Sequence, residues 1–314
     1  LLLFKFMLSV IICTHNPRAN YFARVLRSLQ AQTLSFSKWE LLIIDNASQQ
    51  PISAECVDWH PQARVIREEQ VGLTVARLRG FREATQELMV FVDDDNVLDA
   101  NYLYHVVQIF QEHPEMGAIG GKSLPEFEIS PPDWVAEFYN ILALRDFGEA
   151  SLTTAAFKSA TPQEYPAFAP AGAGMALRRR AFACYVARVI HSPTRLALGR
   201  TGKQLISGED NDIILTLMNT GWEVGYFPQL QLTHLIPTNR VQPEYLSRLN
   251  RASSCSWVKV LSIHGIHLWN KIPRWTVLPR KIRAFFRYRP WQDPAAYVRW
   301  CGVCGLFEGQ SALQ

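Results

Sequence analysis

LMVFVDDDN, residues 88–96, places Asp93, Asp94 and Asp95 directly behind an unbroken apolar run. Five apolar residues closed by a polar turn read as a strand covered on both faces. One or two acids at its end would suit a solvated turn. Three adjacent carboxylates repel one another in any partly dry site and ask for a counter-charge.

Working outward, the flanks alternate between two periods. Residues 7–13 form a β-branched run, after which Phe22, Val25, Leu26 and Leu29 recur at helical spacing. Residues 41–44 are a second buried strand, ending in the turn cluster Asp45-Asn46-Ala47-Ser48. Residues 63–66 are a shorter strand, followed by Gly72. From Leu73, the residues Ala76, Gly80, Ala84 and Leu88 share one helix face, small enough to lie close against a sheet. Leu103, Val106, Val107 and Phe110 mark a third helix that stops near Pro114. This order predicts a mostly parallel sheet with helices on both sides. Ligands of such sheets sit at the carboxyl ends of the strands, which here carry Thr14-His15-Asn16, Asp45-Asn46 and the acidic triplet.

The chain has 314 residues, 48% hydrophobic and 19% charged, enough for one large core or two modest ones. Its formal charge of +4 is local: six arginines and two lysines of residues 271–299 face only Asp293, and the remainder is slightly acidic. No apolar stretch reaches the roughly 20 residues of a spanning helix. Residues 1–13 lack the basic front end and cleavage site of a signal peptide, and Met7 reads as a start with residues 1–6 an upstream extension. Six scattered cysteines suit a reducing compartment. Cys301 and Cys304, with His264 and His267, could supply four zinc ligands, but the separation is unlike a compact finger, so core or surface roles are expected.

The first strand is followed by C-T-H-N-P-R, neither a GxGxxG turn nor a P-loop. Glycine-rich backbone therefore cannot cradle phosphates there. Mg²⁺ or Mn²⁺ on the aspartates is the economical alternative, since both ions keep open positions for phosphate oxygens. Later, SGEDNDIILTL reads as a helix start, with Ser207 and Asp210 forming a capping box and Glu209, Asp210 and Asp212 at the positive end of the dipole.

These pieces, in this order, resemble a family 2 inverting glycosyltransferase of the GT-A fold. They are SVIICTHNPRANYFARVLRSLQAQTL, WELLIIDNAS, GLTVARLRGFREA, MVFVDDDN, AGAGMALRRRAF, SGEDNDIILTLMNTGWEVGYFP and LTHL, spanning residues 7 to about 235. The resemblance implies a catalytic domain over 1–235, binding nucleotide-sugar and metal in 7–125 and acceptor in 126–235. Thr14, Asn16 and Asp45 would line the donor site, Asp45 accepting from a pyrimidine N–H. Arg77 would sit beside the base or phosphates, and Asp93 and Asp94 by the ribose and sugar. Asp95 and His234 would ligate the metal, with Arg240 on the diphosphate. Asp210 would be the general base and Glu209 would orient the acceptor, while Gly172, Ala173 and Gly174 would leave room for the donor sugar. The bland readings are a capped turn at Asp45, a surface arginine at Arg77 and a structural histidine at His234.

Residues 236–314 turn Trp-rich, basic and helix-prone, read as a helical cap on the catalytic domain or as an interfacial segment holding the enzyme near anionic lipid. No nucleic-acid reader motif accompanies the charge. RLNRASSCSW only loosely resembles the QxxRW of processive enzymes, which favours single-sugar transfer. The expected activity is a metal-dependent hexosyl transfer, UDP-sugar favoured, to a glycan or lipid-linked hydroxyl in cell-surface polysaccharide or glycolipid synthesis. It would take place in the cytoplasm or at the inner face of the membrane. The alternatives are a sugar-phosphate nucleotidyltransferase, which would want a glycine-rich first loop, and a non-catalytic nucleotide-sugar or glycan binder.

Overall fold

The computed structural model describes residues 7–154, 165–202 and 204–313. The expected extension, residues 1–6, lies outside the described residues. The strands are β1 (Leu8–Thr14), β2 (Trp39–Asn46), β3 (Ala63–Glu68), β4 (Leu88–Val92), β5 (Asn96–Leu98), β6 (Met116–Phe127), β7 (Leu152–Thr153), β8 (Ala176–Arg178) and β9 (Glu223–Ile236). The helices are α1 (Ala19–Gln30), α2 (Leu73–Glu83), α3 (Tyr102–Glu112), α4 (Arg179–Val189), α5 (Pro193–Leu196), α6 (Glu209–Asn219), α7 (Pro243–Ile263), α8 (Val277–Tyr288) and α9 (Pro294–Ser311).

The strands form one sheet in the order β3-β2-β1-β4-β8-β6-β9-β5, with β7 added on β9. From β3 to β4 every pairing is parallel, as the alternation predicts. Beyond β4 the sheet becomes mixed, because β8 enters antiparallel to both β4 and β6.

Alternate residues of β1 explain why its apolar run is unbroken. Leu8, Val10 and Ile12 face α1 and α3, while Ile11 faces α2, α4 and α6. Both faces are dry, so no polar residue interrupts the pattern. The chain leaves β1 toward β2 and β3, then returns to pair β4 on β1's other side. That reversal opens a crevice at the carboxyl ends of β1 and β4, where Thr14 and the acidic triplet stand.

Helices α7 and α9 pack together and, with residues 133–144, close a further apolar cluster around Phe138, Ile236, Leu249 and Val298. A smaller cluster joins Leu215 of α6 to Val260 and Leu261 of α7. These two helices behave as the helical cap, whereas α8 is the outermost element, with only Ala284 buried. The zinc ligands considered from sequence are dispersed: His264 bonds Asp212, and Cys301 and Cys304 sit on α9.

Gly80 rests on the sheet as its spacing implies, and a Cβ there would stand 2.5 Å from Ile11 Cγ2. Gly80→Leu is expected to cost about 1–3 kcal/mol through overpacking. A lowered thermal midpoint checks this; an unchanged midpoint would show that α2 can lift away freely.

Candidate active site

The crevice deepens into a cavity of about 720 Å³ between the strand ends, the 197–211 segment and α7. Thr14, Asp93, Asp94, Asp95, Glu209, Asp210, His234, Arg240 and Arg77 all contribute to its wall. Residues more than 100 positions apart therefore share one pocket.

The pairing of β5 with β9 places His234. Asn96 lies opposite His234 in the ladder, and the Leu235 N–H donates to the Asp95 carbonyl at 2.9 Å. His234 Nε2 consequently stands 3.5 Å from Asp95 Oδ1. Arg240 Nη1 lies 2.9 Å from Asp95 Oδ2 and 3.3 Å from His234 Nε2. Burial alone would raise the Asp95 pKa, but His234 and Arg240 overcome it and hold the carboxyl well below its usual range. Asp94 has the opposite fate: burial, then the charge of Asp95, push it up to about 7 despite the Thr14 hydroxyl donating to it. The triplet thus does not carry three full charges, and His234, Arg240 and Arg77 offset those it has.

Arg77 is held between two carboxyls. It is 3% exposed, lies over the Phe91 ring, and donates from Nη1 to Asp210 Oδ1 at 2.6 Å, with Glu209 Oε1 at 3.5 Å. The Gly172 N–H donates to Asp210 Oδ2 at 2.8 Å. A Cβ on Gly172 would come within 2.6 Å of Asp210 Oδ1 and 2.4 Å of Arg77 Nη2, so the space this glycine leaves serves Asp210 rather than a sugar. Burial would raise the Asp210 pKa, but the Arg77 charge and these hydrogen bonds hold it below its ordinary value. Its side chain is 33% exposed, against 3% for Glu209. Glu209 is buried, and burial raises its pKa to about 7 even beside Arg77.

The expected capping box is absent, because α6 begins one residue later than it requires. Gly208 is the N-cap and makes no side-chain bond, which leaves Asp210 inside the first turn and free for Arg77. Asp45 is also displaced from its expected place. Its carboxylate accepts from Ser48 N, Ile52 N and Arg67, so it caps the turn after β2 and lies off the cavity. Asn16 likewise ties the turn to Ser48 and Gln49. Asn46 lines the cavity instead, and its side chain anchors the Gly72 N–H and the Gln70 carbonyl before α2.

Sequence reasoning passed over Arg200. It lines the cavity, makes no ion pair with a described residue, and its charge helps to depress both Asp95 and Asp210. LGRTG carries no motif; only the fold brings that loop over the acids.

Asp95 Oδ1 and His234 Nε2 form a mixed oxygen and nitrogen donor pair at a separation two ligands of one divalent ion can share. The pair fits Mg²⁺ or Mn²⁺ with most positions left to phosphates and water. Among the described residues, no three His, Cys, Asp or Glu side chains gather into a closed metal cage.

Residues 9–185 match the family model described as Glycosyl transferase family 2. The chain is 25% identical over 148 residues to the glucosyl-dolichyl phosphate glucuronosyltransferase of Haloferax volcanii, covering 45% of this chain and 47% of that protein. It is 28% identical over 113 residues to an uncharacterized glycosyltransferase of Haemophilus influenzae, covering 36% of this chain and 37% of that one. The chain thus spans less than half the length of these relatives. Among solved structures, S. aureus TarS aligns over 97% of this chain and 55% of that chain, with 14% identity and a TM-score of 0.53. TarS residues 1–349 align over 96% and 89%, at 14% identity and a TM-score of 0.51. Both are likenesses of fold.

Glu209 binds its proton more tightly folded than unfolded, so its share of stability is present at low pH and is lost as pH rises from about 4.5 through about 7. Glu209→Gln removes that dependence. Thermal scans at pH 5 and pH 8 are expected to show stabilisation by the variant mainly at the higher pH; an equal effect at both would contradict the raised pKa.

Proposed function

The chain belongs to glycosyl transferase family 2, and we propose that it transfers a single sugar, with inversion, from a nucleotide diphosphate donor to a hydroxyl acceptor. One observation carries this reading: an ionised carboxylate, Asp210, opens on the same cavity as the Asp95, His234 and Arg240 cluster at the sheet's switch point. Inverting transfer needs those two features facing each other across a sugar ring.

In the reaction, the acceptor oxygen bonds to the anomeric carbon as the carbon–oxygen bond to the diphosphate breaks. The hydroxyl proton passes to Asp210, and the nucleoside diphosphate departs with the bonding electrons. Arg77 and the Gly172 N–H keep Asp210 deprotonated and aimed. Their cost is a weaker base, and their gain is that the base is ionised across the neutral range. Arg240 and Arg200 stabilise the charge growing on the diphosphate. A divalent ion held by Asp95 and His234 would add Lewis acidity at the phosphate oxygens.

The Haloferax volcanii relative is named for an acceptor in which a sugar is joined to dolichyl phosphate. We extend the chemical class alone: a lipid-linked or other glycan acceptor, met at the cytoplasmic face of a membrane, in cell-surface polysaccharide or glycolipid synthesis. A UDP-sugar remains the favoured donor. Asn46, rather than Asp45, is the strand-end side chain available beside it.

A thermal-shift panel of nucleoside diphosphates, with and without Mn²⁺, identifies base and metal: a ligand at 100 times its Kd adds about 2.7 kcal/mol. Asp210→Asn is expected to keep that shift and to lose about 10²- to 10⁴-fold in turnover of the donor that the panel selects. Normal turnover would remove Asp210 as base, and pyrophosphate release from a nucleoside triphosphate and a sugar phosphate would point to a nucleotidyltransferase. Arg200→Ala is expected to lose about ten- to a hundredfold in kcat/KM, the equivalent of one charged hydrogen bond. Unchanged kinetics would take Arg200 off the diphosphate.

A further inference from the structure

Helix α8 has three distinct sides. One docks on α9: Ala284 is buried, Lys281 pairs with Glu308, and the Lys281 carbonyl accepts from Trp300 Nε1 at 3.2 Å. The second is apolar and bare. Leu278, Ile282 and Phe286 are 66%, 51% and 65% exposed, at spacings that stack them along one stripe. Trp275 and Trp291, 79% and 57% exposed, stand at its two ends. The third side, adjacent to that stripe, carries Arg280, Arg283 and Arg287, none of which forms an ion pair with a described residue.

No acid occurs from Lys271 to Gln292. Asp293, which follows, is turned inward to cap α9 through the Ala296 N–H. An apolar stripe flanked by unpaired guanidiniums and bracketed by indoles is the pattern of a helix lying in the plane of a lipid interface, its apolar side among the acyl chains and its cations at the phosphates. A second copy fits poorly, because stacking two such faces would bring six guanidiniums together with nothing to neutralise them. Among the described residues no helix is long and apolar enough to cross a membrane, so contact through this face would be lateral.

We propose that the outer face of α8, from Trp275 to Trp291, is a docking surface for an anionic lipid bilayer. The proposal deepens the membrane side of the reading above, and it stands or falls without reference to transfer chemistry. It divides the C-terminal segment: α7 and α9 hold the catalytic cavity, and α8 holds the enzyme to the membrane.

The test is co-sedimentation of the full chain with vesicles of phosphatidylcholine alone or mixed with phosphatidylglycerol. The wild type is expected to partition onto the anionic vesicles, and less so in about 0.5 M salt, where charges are screened within a few ångströms. Arg280→Ala, Arg283→Ala and Arg287→Ala together are expected to weaken partitioning about a hundredfold, at about fivefold per charge. Leu278→Ser, Ile282→Ser and Phe286→Ser together are expected to weaken it at least tenfold, with thermal midpoint and nucleotide-induced shift unchanged. A wild type that stays in solution, or a serine variant that partitions equally well, overturns the proposal. So does a wild-type dimer in sedimentation velocity that the serine variant dissociates, since the face would then belong to a second copy. Vesicle binding without any nucleotide-induced shift still supports the surface and counts against the transfer reading alone.

Discussion

A buried guanidinium, Arg77, joins the two halves of the cavity. It comes from α2, in the first half of the sheet, and binds Asp210 across 133 residues of sequence. With Glu209 also at its side, one cation faces two carboxyls in a nearly dry site. Breaking such an arrangement by removing one partner leaves an uncompensated charge, at a cost of about 3–5 kcal/mol. The position of Asp210 and its protonation state are therefore set by the same contact that ties α6 to α2.

The acidic triplet follows a comparable rule. Three adjacent carboxyls can coexist because their environments differ: Asp95 is held charged by Arg240 and His234, and Asp94 is pushed toward the neutral form. The cation asked for by the sequence is present within the protein.

The C-terminal helices show how one composition serves two purposes. In α7 and α9, Arg251 pairs with Glu308, and Trp257 packs beside Val260 and Leu261 and lines the cavity's far wall. In α8 the same residue types remain outside. Of the two readings of residues 236–314, the helical cap describes α7 and α9, and the proposed lipid contact concerns α8 alone.

The strands β1, β2 and β4, the helices α1 to α3 and the polar strand ends were legible from local pattern, because apolar periodicity reports burial directly. β6 was not: its Gly120, Gly121, Lys122 and Pro125 break any strand pattern, and only pairing with β9 makes it a strand. The identity of the acids and histidine that share the cavity was also readable from their order along the chain. Their partners were not. Arg77 went to Asp210, Gly208 took the cap expected of Ser207, and Arg200 arrived from a segment with no signature. The sequence by itself determined the parallel half of the sheet and the acidic strand end, since these follow from hydrophobic period and chain order. Which charge meets which was decided only by the tertiary structure, because electrostatic pairing depends on distance and burial, and strand register and helix packing set both.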